Sequence, residues 1–422
     1  MTRAQMKPLL LILIVALAVR LLACGWWQAR LGERFFFGDS DGYWALGRAI
    51  ARGEPYRYGS DQVFRTPGYP LVLAPLFVIA YGEPPIVWGR VVSALLGTLA
   101  VAAVWWLGRE RFDDRVGRLA ALLAALYPGA IAISSVVLSE ALFCALMVAQ
   151  LALWLRAVKA DTVPCTAALA LGSGVLGGAA VLARPSWLLF APLAIAVSLL
   201  LPGPRWRHFG IGGCVLVGLI AAMLPWWLRN AWVTHHFVPT TLQVGASLYD
   251  GLNPAATGAS DMRVVRPIMD AERRQFTQRG AASVDSLEYQ VDRRLWQAAA
   301  HWAGEHPDQV ARLAAIKLLR MWNLWPNEPS FAAWPVRLLA VFTYVPILIL
   351  GIIGAWRTVR CGWPTVVCWL PAVYLSLIHA IFVSSMRYRE PAMLPWMVLA
   401  AAAAVGWFVP KARGGNVLRG MK

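Results

Sequence analysis

The chain has 422 residues, 59% of them hydrophobic and only 14% charged, with a mean hydropathy of +0.56. A water-soluble enzyme must clothe its surface in polar groups, so this composition excludes one. The net charge of +17 would suit a nucleic-acid surface in a soluble chain, but in a membrane chain it must first be divided between the loops of the two sides. The six cysteines (Cys24, Cys144, Cys165, Cys214, Cys361 and Cys368) form no C-x-x-C pair and no loop cluster. Neither a disulfide framework nor a zinc site is indicated.

Crossing a bilayer takes about 20 apolar residues at 1.5 Å rise each. Runs of that kind at 9–28, 86–108, 116–135, 138–157, 165–183, 186–201, 209–228, 336–356, 363–383 and 391–409 predict ten spans. Trp26-Trp27, Trp105-Trp106 and Trp226-Trp227 mark span ends, where indole rings settle at headgroup level. In the first run, Arg20 and the absence of a small residue at Leu22 favour an uncleaved anchor over a lipoprotein leader ending at Leu21-Leu22-Ala23-Cys24.

With the N-terminus inside, the inner segments hold sixteen Lys and Arg residues against Glu110, Asp113, Asp114 and Asp161, whereas the outer segment 229–335 balances eleven bases with ten acids. The basic excess is therefore positive-inside bias, and nucleic acid is not expected as a partner. Residues 67–82 are apolar for 16 positions, yet counting them as a span would turn the basic loop 109–118 outward. They are expected to form a helix lying on or dipping into the outer surface.

The expected fold is an all-α polytopic membrane protein of about ten transmembrane helices, with surface-lying helices and a small helical periplasmic domain. The first region, 1–228, includes an outer loop at 28–85. The second, 229–335, is the helical outer segment, and the third, 336–422, carries a basic inner tail. Within the second, Leu287, Val291, Leu295, Ala299 and Trp302 recur at helical spacing, as do Val310, Leu313, Ile316 and Met321. Gly245, Gly251, Asn253, Pro254 and Gly258 predict a loop over 240–265.

Candidate chemistry lies at the outer ends. In the first loop Asp39 precedes an amphipathic helix on which Tyr43, Leu46, Ala49 and Ile50 share a face, so Asp39 suits either an N-cap or a catalytic carboxylate. Glu140, near an outer span end in an apolar stretch, is costly unless paired or functional. Arg65, Arg184, Arg387 and Arg389, near span ends, suit snorkelling anchors. Asp41 either assists Asp39 or faces water. The adjacent His235 and His236 fit an interface position better than a metal site.

The order of Asp39 with Tyr43, Arg65-Thr66-Pro67-Gly68-Tyr69-Pro70, Tyr127-Pro128, Leu138-Ser139-Glu140, Arg184-Pro185, Pro225-Trp226-Trp227-Leu228-Arg229-Asn230 and Arg387-Tyr388-Arg389 resembles the GT-C superfamily of membrane glycosyltransferases. Within it the likeness is to bacterial relatives of protein O-mannosyltransferases and lipid A aminoarabinose transferases. Ser40 and Thr66 depart from the usual pattern, which often has an acid and a proline or lysine there. The resemblance implies transfer of a sugar from a polyprenyl-phosphate carrier to a lipid, glycan or protein acceptor at the periplasmic face of the cell inner membrane. It implies Asp39, Asp41 and Glu140 as catalytic candidates, and Tyr43, Arg65, Tyr69, Arg184, Arg387, Tyr388 and Arg389 as ligands of the lipid phosphate and sugar. A monophosphate leaving group requires no metal cofactor, although a divalent ion is compatible with it.

Two alternatives stay open within this frame. A glycan ligase or polymerase would use a diphosphate-linked donor. A lipid-linked sugar transporter or flippase would place ionisable groups near the bilayer midplane, where Arg20 is the main candidate.

Overall fold

A computed structural model describes residues 3–201, 204–279, 286–326 and 333–406. Among these residues the chain is helical, with one isolated bridge, Tyr58 to Asp61, and no named strand. The helices are α1 (Arg3–Leu31), α2 (Asp39–Ala51), α3 (Gly68–Ile79), α4 (Ile86–Arg111), α5 (Asp114–Leu126), α6 (Pro128–Ile133), α7 (Glu140–Lys159), α8 (Val163–Ala183) and α9 (Phe190–Leu200). They continue as α10 (Arg205–Thr234), α11 (Val244–Gly251), α12 (Arg266–Arg279), α13 (Leu287–Glu305), α14 (Pro307–Met321), α15 (Trp334–Thr358), α16 (Trp363–Ile381) and α17 (Glu390–Ala404).

Seven of them, α1, α4, α7, α8, α10, α15 and α16, are long and apolar enough to cross a membrane. The other three expected spans take different forms. Run 116–135 is broken into α5 and α6, run 186–201 is a 3-10 turn followed by α9, and run 391–409 yields the 15-residue α17. The basic tail with Lys411, Arg413, Arg419 and Lys422 lies outside the described residues. Helix α3, with 12 residues, would reach only about 18 Å, too short to cross, and it packs on α2. The expected loop 240–265 also holds the short helix α11, and only its remainder is irregular.

The break between α5 and α6 explains Arg20. Pro128 has no N–H to give the Ala124 carbonyl, and the chain turns there into α6. Arg20, 1% exposed on α1, donates instead to the Ala124 and Ala125 carbonyls, both at 3.2 Å, and to Ser134 Oγ at 3.0 Å. A cation at these carbonyls also complements the negative end of the α5 dipole. The deep arginine is thus held by a helix terminus.

The core is built where small residues let backbones meet. Helix α8 packs along α10, and a Cβ on Gly174 or Gly218 would run into the Val215 or Leu171 carbonyl of the facing helix. Helix α7 packs between α8 and α4, and α17 lies against α15, α5 and α16. Helix α7 begins and α8 ends at the same end of the bundle, and Glu140, Arg184 and Arg387 gather there with Asp39 and Arg65 of the segment between α1 and α4.

Candidate functional site

Three local features carry the site. Gly68 opens α3 within 2.6 Å of where a Cβ would meet the Leu182 carbonyl at the end of α8, so only glycine lets the Arg65 to Tyr69 turn lie beside Arg184. The Trp226-Trp227-Arg229-Asn230 stretch of α10 supports the same loop. Arg229 donates to the Tyr56 carbonyl at 2.9 Å, Trp226 to that of Thr240 at 2.7 Å, and Leu242 N–H to Val63 at 3.0 Å. Finally, Ser385 caps the 3-10 turn Met386–Tyr388, which presents Arg387.

On this frame five charged side chains alternate in sign. Arg65 Nη2 lies 2.7 Å from Asp39 Oδ1, and Arg387 Nη2 lies 2.9 Å from Asp39 Oδ2. Arg387 Nε is also 2.6 Å from Glu140 Oε1, which Arg184 Nη1 approaches at 2.7 Å. The Glu140 contacts are ion pairs at contact distance without hydrogen-bond alignment. Glu140 is 1% exposed and the Asp39 side chain 34%, so one carboxylate is sealed inside while the other faces an opening. Three guanidiniums against two carboxylates leave a positive surplus, suited to an anionic group.

The N-cap alternative for Asp39 does not describe this geometry. Gly38 is the cap residue, Asp39 is the first helical position, and no side-chain cap bond forms. Both of its carboxylate oxygens face arginines. Burial works against ionisation of Asp39, but Arg65 and Arg387 outweigh it and hold the carboxyl below its usual value of 3.8.

Aromatic side chains fix the arginines. The Arg65 guanidinium lies 5.6 Å from the Tyr43 ring centroid, and Tyr43 packs edge-on against Tyr69. Tyr43 and Tyr69 hydroxyls meet Ser139 and Ser93 at 3.1 and 2.7 Å. Arg184 and Arg387 both sit over Tyr388, and Arg387 also over Phe37.

Two expected site residues fall elsewhere. Asp41 is exposed and accepts from Tyr58 OH at 2.7 Å, turned away from the arginines. Arg389 is buried over the Tyr344 ring at 3.7 Å, beside Glu390 and bonded to the Asn323 carbonyl, where it ties α14, α15 and α17 together. Sequence reasoning does not single out Phe37, Ser93 or His379 as site residues. The last stacks on Tyr388 at 4.1 Å, and its only sequence signal is a polar residue in an apolar run.

Each carboxylate of the site is paired with two guanidiniums, whereas divalent ions take several oxygen ligands. Among the described residues, no three His, Cys, Asp or Glu side chains group as a metal site. His236 instead stacks on Tyr289 at 3.8 Å.

Residues 65–228 match the family model for dolichyl-phosphate-mannose-protein mannosyltransferase. The chain is similar in structure to the archaeal oligosaccharyltransferase AglB from Archaeoglobus fulgidus in complex with an inhibitory peptide and a dolichol-phosphate. That match has 16% identity and a TM-score of 0.60, over 96% of this chain and 50% of that one. The apo Archaeoglobus fulgidus oligosaccharyltransferase gives 17% identity and a TM-score of 0.57, over 94% and 50%. ArnT from Cupriavidus metallidurans bound to undecaprenyl phosphate gives 16% identity and a TM-score of 0.46, over 94% and 77%. No curated protein matches. The chain spans about half the length of the oligosaccharyltransferase chains it matches. The chain shares its fold with these oligosaccharyltransferases, in keeping with the resemblance in its motifs.

Proposed function

From this shared fold and the motif resemblance we propose that the chain is an integral-membrane glycosyltransferase of the GT-C type. It moves a sugar from a polyprenyl-phosphate carrier to a hydroxyl acceptor at the periplasmic face of the inner membrane. The observation that carries the proposal is the alternating chain Arg65, Asp39, Arg387, Glu140, Arg184. It places an ionised, partly open carboxylate beside guanidiniums able to receive a phosphate.

The chemistry follows from an exchange of partners. An incoming phosphate competes with Asp39 for Arg387 and Arg65, and bidentate guanidinium to phosphate bonds are strong. Losing its cationic partners raises the basicity of Asp39 just where the sugar C1 arrives. The acceptor oxygen then attacks C1, the C1 to phosphate-oxygen bond breaks, the acceptor proton passes to Asp39, and the bonding pair leaves with polyprenyl phosphate. One base with one direct displacement inverts C1. Glu140, sealed behind Arg387 and Arg184, is a positioning residue that keeps both guanidiniums aimed at the opening.

The similarity to a protein in complex with a dolichol-phosphate and the matched family description support this donor class. Binding of polyprenyl phosphate to the purified chain tests it. Arg387→Ala should weaken binding by about tenfold or more. Lys there should restore only part, because an ammonium lacks the planar fork. Unchanged affinity in Arg387→Ala overturns the phosphate assignment.

A further inference from the structure

At the end of the bundle opposite Asp39, α4, α7 and α8 diverge and leave a cleft of about 710 Å³. The 20-residue α7 separates it from the site by about 30 Å. Its walls bring Arg109 from α4, and Arg156 and Lys159 from the last turn of α7, against Trp105 and Trp106, with Cys165 and Leu169 of α8 opposite. We propose that this cleft binds the phosphate headgroup of an anionic membrane lipid in the leaflet opposite the transfer site, with the acyl chains leaving past Trp105 and Leu169.

Three observations support a headgroup site over a merely solvated basic loop. The bases are accessible: Arg156 is 56% exposed and lies 3.7 Å from Glu110, Arg109 is exposed over the Trp105 ring, and Lys159 is exposed with its ammonium on the Glu110 carbonyl. The first turn of α8 opens on the same cleft, and its N-cap Thr162 makes no capping bond; Pro164 has no N–H, so Val163 and Cys165 N–H are what the turn adds to the anion-binding side. The walls also join cations to indole rings, the pairing that settles where headgroups meet acyl chains. Glu110 and Asp161 line the same cleft; Glu110 accepts from Trp106 at 3.2 Å and lies beside Arg156, so three bases stand against two acids there.

Native mass spectrometry on the full chain in nanodiscs tests the site, with phosphatidylglycerol and phosphatidylcholine mixed as the probe lipids. Wild type should retain one phosphatidylglycerol through detergent exchange. The double variant Arg109→Ala, Lys159→Ala should retain it about tenfold less, and the charge-keeping Lys159→Arg should retain it as wild type does. Cys165 is the exposed cysteine among the six, and its reaction with a maleimide should slow when phosphatidylglycerol is present. Equal retention of the two lipids, retention unchanged in the double variant, or displacement of phosphatidylglycerol by inorganic phosphate would each overturn the lipid assignment.

Discussion

A carboxylate that two arginines hold ionised is charged at any physiological pH, but weakly basic until one of them leaves. Asp39 is in that position, because Arg65 and Arg387 outweigh burial. Its depressed value means that the free protein keeps these ion pairs above the usual carboxylate range and loses them only as pH falls through the lowered value. Removing Arg65 leaves burial less opposed, so Arg65→Gln should move the acid limb of the kcat/KM profile to higher pH; an unmoved limb would detach Arg65 from Asp39. The arginines of the Arg387-Tyr388-Arg389 motif should also part company. Arg389→Ala strands the buried Glu390 and should cost about 3 to 5 kcal/mol of stability, seen as earlier thermal unfolding, while polyprenyl-phosphate affinity holds. Loss of affinity with unchanged unfolding would return Arg389 to the site. Sequence alone groups the two because they are neighbours. In a turn of three residues, positions two apart point about 240° apart, so one enters the site and the other the core.

Among the elements, the strap from Tyr58 to Arg65 depends on α13. Glu288, at the start of α13, accepts from Gln62 N–H at 2.8 Å and Val63 N–H at 3.1 Å. Burial pushes its carboxyl up to about 7 even though these two N–H groups favour the charge; nearby Asp61 raises it further and Arg229 opposes. Between its usual 4.5 and about 7 the folded state holds the extra proton. The contribution of this contact to stability therefore falls as pH rises through that window. Thermal unfolding followed from about pH 5 to about pH 8 should show the decline, and Glu288→Gln should flatten it. An equal slope in the variant would assign the dependence elsewhere. Helical spacing made α13 and α14 legible in the sequence, and apolar length made the seven long helices so. The α5 to α6 break was hidden inside an apolar run, because what satisfies the Ala124 carbonyl is Arg20, over 100 residues away. Gly68 likewise reads as a turn residue, yet its necessity lies in the backbone of α8.

For the molecule as a whole, both ends of the bundle carry meaning: a mixed-charge site at one and basic loops at the other. If the positive-inside assignment holds, an impermeant maleimide added outside intact cells should label Asp41→Cys and leave Cys165 untouched. Labelling of Cys165 from outside would invert the orientation and move the transfer site to the inner face. The motifs that placed Asp39, Arg65, Glu140, Arg184 and Arg387 in one site are spread over most of the chain, and no spacing rule links them. Their order matched a known pattern, whereas their contacts required the fold. The most direct test is transfer itself, by the purified chain in liposomes supplied with a polyprenyl-phosphate sugar and an acceptor taken from the native envelope. Asp39→Asn keeps the shape but cannot take the acceptor proton, so the account predicts a fall in turnover of about 10² to 10⁴-fold with the protein still folded and donor still bound. Near-normal turnover in that variant would contradict it.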